Sequence, residues 1–118
     1  MADLKTLDDQ LNQKILSGAI LEAFDAFYAD NVVMQENNDE PRVGKAVCRQ
    51  AEQAFLDSLE QFHGARLLGS AVNGDTSYSE WEFDATYKGV GRVKGSQVAA
   101  RRWKDGKIVH ERFYYKKG

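Results

Sequence analysis

The 118-residue chain has 42% hydrophobic and 29% charged residues and a net charge of −2. That length holds one domain, residues 1–118, and buries enough surface to fold without disulfides or a metal. A single cysteine, Cys48, excludes an intrachain disulfide. No apolar run is long enough to span a membrane. The acidic start MADLKTLDDQ also lacks the order of a secretion signal, so a cytoplasmic location is expected.

Leu4, Leu7, Leu11 and Ile15 recur at helical spacing on one stripe. Gly18 interrupts, and Ile20, Leu21, Phe24, Phe27 and Tyr28 give a second helix its apolar face. Val32–Asn37 changes period and reads as a short strand, with Glu36 where its apolar run stops. Pro41 marks a loop. From Gly44, the pattern Val47, Ala51, Ala54, Phe55, Leu59 and Phe62 predicts a third helix ending near Gly64, with Cys48 as a small buried hydrophobe. Strands follow at Arg66–Val72, Thr76–Lys88, Arg92–Trp103 and Ile108–Tyr115. They are separated by Asn73-Gly74-Asp75, Gly89-Val90-Gly91 and an Asp105-Gly106 hairpin turn. Helices first and meandering strands after predict an α+β fold: three N-terminal helices packed on a strongly curved antiparallel sheet.

The Asp-Gly turn fixes an expected register. If Lys104 pairs with Lys107, then Arg102 pairs with Val109 and Arg101 with His110. One face then carries Arg102, Val98, Glu111, Phe113 and Tyr115, the other Trp103, Arg101, Ile108, His110 and Tyr114, because side chains alternate. Val98, Val109 and Phe113 mark the first set as inward. Arg102 and Glu111 are therefore expected as inner, diagonal neighbours. Trp103, Tyr114, His110 and Ile108 are expected together on the outer face, where large aromatics suggest a covered surface.

Residues 1–62 carry 12 acidic and 5 basic side chains, and residues 86–118 carry 2 and 10. The basic residues alternate with apolar ones in strand fashion, so a solvated sheet face is favoured over a nucleic-acid surface. His63 and His110 lie at no metal-ligand spacing. Gly89, Gly91 and Gly95 lack the strand–turn–helix context of a nucleotide fingerprint. No metal, cofactor, nucleic acid or membrane is expected.

The stretches FYADNVVMQEN, EPRVGK, SEWEFDATYKG and RRWKDGKIVHERFYY together resemble the nuclear-transport-factor-2-like superfamily, especially its SnoaL-like polyketide cyclases and ketosteroid isomerases. The resemblance implies a cystatin-like cone around a hydrophobic pocket and, with Trp103, Tyr114, His110 and Ile108 on the outer sheet face, a symmetric homodimer through that face. It also places Glu36 where the isomerases carry an aspartate base. The tyrosine and protonated aspartate of the isomerase oxyanion hole, a worked case of this chemistry, fall here near Asn12 and at Ala99 or Ala100. Both donors are absent, and Arg102, Tyr115 and Tyr78 remain as candidate acids. What the resemblance implies is a cofactor-free enzyme of the isomerase or cyclase type, removing a proton from a small hydrophobic carbonyl compound. Glu36, Arg102 and Glu111 would be catalytic, with Met34, Phe55, Leu59, Trp81, Phe83, Val98, Phe113 and Tyr115 holding the substrate. The alternative is a non-catalytic module of the same fold that binds a small ligand or serves dimer assembly.

Overall fold

The computed structural model describes residues 3–116. Helices α1 (Leu4–Leu16) and α2 (Ile20–Phe27) precede strands β1 (Tyr28–Glu36) and β2 (Arg42–Val43). Helix α3 (Lys45–Ser58) leads into β3 (Leu59–Asn73), β4 (Thr76–Tyr87), β5 (Gly91–Lys104) and β6 (Lys107–Tyr115). The six strands form one sheet in the order β2-β1-β6-β5-β4-β3. It is antiparallel except where β1 runs parallel to β6. None of the helices among the described residues is long and apolar enough to cross a membrane.

Asp3 caps α1 by accepting from the Thr6 amide at 2.8 Å. Helix α3 is shorter than its apolar pattern suggests. It stops at Ser58, and Leu59 and Phe62 already belong to β3. β-branched scarcity in this segment hides the change of period, and pairing with Tyr87 and Ala85 of β4 decides it.

The last hairpin explains the largest departure from expectation. Asp105 and Gly106 both adopt positive φ (52° and 78°), as a two-residue turn of this kind requires. Lys104 pairs with Lys107 and Trp103 with Ile108, as expected. The register then shifts, and Arg102 pairs with His110 and Arg101 with Glu111. Val109 is the extra residue of a β-bulge. The bulge keeps Glu111, Phe113 and Tyr115 inward but brings Arg101, not Arg102, beside them. Arg102 is exposed, and Val98, paired with Tyr114, lies on the outer face. Trp103 and Ile108 are in the core, so of the four expected outer residues only His110 and Tyr114 remain outside.

The core is concentrated at one end. Leu11, Phe24, Phe27, Val32, Met34, Cys48, Trp103 and Ile108 pack together with Ala23 and Tyr28. Toward the other end the inner face is thinly covered. Phe83, Tyr87, Leu59, Phe113 and Tyr115 are half-buried, and Phe62 is 52% exposed. The sheet thus has a packed floor and an open, apolar mouth.

The outer face is a charge ladder. Arg66 pairs with Glu82, and Arg92 contacts Asp84 through two hydrogen bonds of 2.9 and 2.7 Å. The basic C-terminal strands therefore meet carboxylates of β4.

Candidate functional site

Cross-strand pairing puts the inward residues in rows. One row runs Arg42, Met34, Glu111, Arg101, Ser77 and Val72, across β2, β1, β6, β5, β4 and β3. The next runs Glu36, Phe113, Ala99, Ser79 and Ser70, and the third Tyr115, Gln97, Trp81 and Leu67. Beyond them, the Phe83 ring lies across Gly95, where an added Cβ would come within 2.6 Å of it.

The first row forms the floor. Arg101 is 2% exposed, with Nε donating to Glu111 Oε2 (2.8 Å) and Nη1 to Asp8 Oδ1 (2.8 Å) and Asn12 Oδ1 (2.7 Å). Tyr28 donates its hydroxyl proton to Glu111 Oε1 at 2.6 Å, and Ser77 donates to Asp8 at 2.8 Å. Trp103 Nε1 donates to Ser77 at 2.9 Å. Burial works against the Arg101 charge, but Glu111, Tyr28 and Asp8 outweigh it and hold its pKa above the ordinary value. Burial, then the Glu111 charge, pushes the Tyr28 phenol well up. These groups satisfy one another and are committed to structure.

Above the floor sits a less committed set. Glu36, at the end of β1, accepts from the Tyr115 hydroxyl at 3.0 Å through Oε1, and from both terminal nitrogens of Arg42 at 3.3 Å through Oε2. Its side chain and that of Arg42 are each 36% exposed. Burial, then the negative charge of Glu36, pushes the Tyr115 phenol up to about 12. Arg42 Nε is buried with no hydrogen-bond partner among the described residues.

Helix α3 adds a group that sequence reasoning missed. Cys48 is fully buried, and Glu52, four residues on, shares its helix face. Glu52 is partly buried and has no hydrogen-bond partner among the described residues. Burial, then the Glu111 charge, raises its carboxyl to about 7; Arg42 opposes this and Glu36 adds to it. A carboxylate inside an apolar stripe is the signal that could have found it. The expected stripe through Val47 and Ala54 is rotated by about one residue, since both are exposed.

This fold matches a known group. The SnoaL-like domain family matches residues 5–115. The chain belongs to the SnoaL-like domain family. Among solved structures, a protein from Mesorhizobium loti described as a SnoaL-like polyketide cyclase is 30% identical, with a TM-score of 0.89, over 97% of this chain and 100% of that one. A Catenulispora acidiphila protein with a ketosteroid isomerase-like fold is 13% identical (TM-score 0.73, 87% and 80% covered). An epoxide hydrolase from M. tuberculosis is 15% identical (TM-score 0.75, 94% and 84% covered). No curated protein matches the chain.

In this SnoaL-like domain the expected site residues divide into four groups. Glu36, Met34, Phe113, Tyr115, Trp81 and Phe83 share the inner face, with Trp81 buried and its Nε1 donating to Ser79 at 2.8 Å. Leu59 and Phe55 stand at the mouth, Phe55 with its ring 6.1 Å from that of Tyr87. Glu111 is inward but engaged by Arg101 and Tyr28, while Arg102 and Val98 lie on the other face. A depression of about 510 Å³ is lined by Phe83 and Gly95 together with Arg66, Glu82, Asp84 and Lys94, so it joins the end of the aromatic row to the outer charge ladder and does not reach Glu36. His110, half-buried, has its pKa lowered by burial and then by Arg102 and Arg112.

Proposed function

We propose that this SnoaL-like domain is a cofactor-free enzyme of the isomerase or cyclase type, in which Glu36 removes a proton from a small hydrophobic carbonyl compound. One observation carries the reading. Glu36 projects from a strand end onto an incompletely covered apolar face, with a phenol and a guanidinium fixing its two oxygens. Such fixing orients a base for a carbon-bound hydrogen, and orientation accounts for much of the rate in proton transfer. Met34, Phe113, Trp81 and Phe83 would supply the apolar contact that holds the substrate.

The test is exchange of the α-hydrogens of an aryl ketone such as 2-tetralone in D₂O, followed by NMR. The wild-type chain is expected to catalyse exchange, and Glu36→Gln to slow it by about 10²-fold or more. Equal rates in the two proteins would remove Glu36 as base.

A second reading, a non-catalytic ligand-binding module, is favoured by one feature: both Glu36 oxygens are occupied by protein donors. Saturable ketone binding with no exchange in either protein would select it. A homodimer through the outer face accompanies either reading. Tyr78 and Tyr114 are exposed there, flanked by acidic residues on β4 and basic ones on β5 and β6, a pattern a twofold axis can pair with itself. Sedimentation is expected to give twice the chain mass; a monomer mass at micromolar concentration would remove it.

A further inference from the structure

Enolisation needs an acid opposite the base, and the floor of the site does not provide one. Tyr28 spends its proton on Glu111, and Tyr115 spends its proton on Glu36. Asn12 offers its oxygen to Arg101 and its amide to Asp8. Among the described residues here, the Arg42 Nε, the Gln97 amide, the Ser79 hydroxyl proton and the Glu52 carboxyl have no hydrogen-bond partner, and of these the carboxyl is the one that can release its proton near neutral pH.

We propose that Glu52 is the acid partner of Glu36, a neutral carboxylic acid on α3 that gives its proton to the substrate carbonyl oxygen as Glu36 takes the α-hydrogen. This assignment rests on the proton-transfer reading above. Geometry places Glu52 on the inward face of α3, one turn after buried Cys48 and one before Phe55 at the mouth. The charged and titratable groups acting on it are Glu36 and Tyr28 of β1, Arg42 of β2, Glu111 of β6 and Cys48 of its own helix. Two carboxylates against one guanidinium, together with burial, favour its neutral form near neutrality.

The step balances without a cofactor. The α C–H bond breaks and its proton goes to Glu36. The electron pair forms the C=C bond, and the carbonyl π pair moves to oxygen, which takes the Glu52 proton. The enol then returns that proton to Glu52 and receives one at carbon from Glu36, restoring both groups.

Carboxyl ¹³C NMR of the full chain, with Glu52 assigned by its disappearance in Glu52→Gln, reads the first half of the proposal. The pH profile of 2-tetralone exchange reads the second. Glu52 is expected to titrate at about 7. Exchange should fall as pH rises through that point. In Glu52→Gln the rate should drop by about 10–100-fold and the limb disappear. Glu52→Asp should retain a limb at reduced rate. A Glu52 midpoint near 4.5, the ordinary glutamate value, or an unchanged rate and profile in Glu52→Gln, would overturn the assignment and leave Glu36 standing if Glu36→Gln is still slow. Absence of exchange by the wild-type chain overturns both.

Discussion

Burying Glu52 without a hydrogen-bond partner makes its ionisation costly to the fold. Its folded pKa, about 7, lies above the ordinary 4.5. Below 4.5 both folded and unfolded chains hold the proton, and stability is fully present. Between the two values the unfolded chain ionises first, so stability declines; above 7 the loss is complete. Glu52→Gln should therefore stabilise the protein at alkaline pH by about 1–3 kcal/mol and flatten this decline. Urea unfolding of both proteins across that range checks it, and equal slopes with pH would contradict it. A gain in stability on replacing a buried carboxyl by a neutral amide is what a functional site under strain shows. Glu36 was legible from sequence because a strand end and a family resemblance both mark it. Glu52 was not, since helical periodicity alone fixes a stripe to within about one residue.

At the scale of elements, the bulge at Val109 chooses which arginine enters the interior. Arg101 sits between Asp8 and Glu111, so Arg101→Met would leave two buried carboxylates uncompensated and cost about 3–5 kcal/mol. Arg102→Met, on the exposed face, should change stability by no more than about 0.5 kcal/mol. Comparable losses in the two variants, measured by chemical denaturation, would contradict the observed register. The turn was readable because Asp-Gly has a backbone signature. The bulge was not, because Val109 and His110 carry no residue type that a bulge demands. Burial of a whole charged network was equally hidden. Asp8 and Asn12 fall on the same helical stripe as Leu4, Leu11 and Ile15, but only their partners from β4 and β5, 69 to 93 residues away, reveal why.

Across the whole molecule, the division between packed floor and open mouth follows from where the helices lie. Helices α1 and α2 join the core near β1, β5 and β6, while the far half of β3 and β4 keeps Phe62, Phe83 and Tyr87 partly uncovered. The α+β order and the family resemblance were legible because they rest on element sequence and long runs of pattern. The parallel pairing of β1 with β6 was not, since it joins segments far apart in the chain. Apolar surface left uncovered beside titratable groups is the feature on which the functional account depends. Its most direct test is NMR mapping of 2-naphthol, the stable aromatic counterpart of the 2-tetralone enol, on the amide-labelled full chain. The account predicts shift changes centred on Met34, Glu36, Glu52, Phe113 and Tyr115. Changes confined to the outer residues around Tyr78, Arg102 and Tyr114, or none at saturating naphthol, would contradict it.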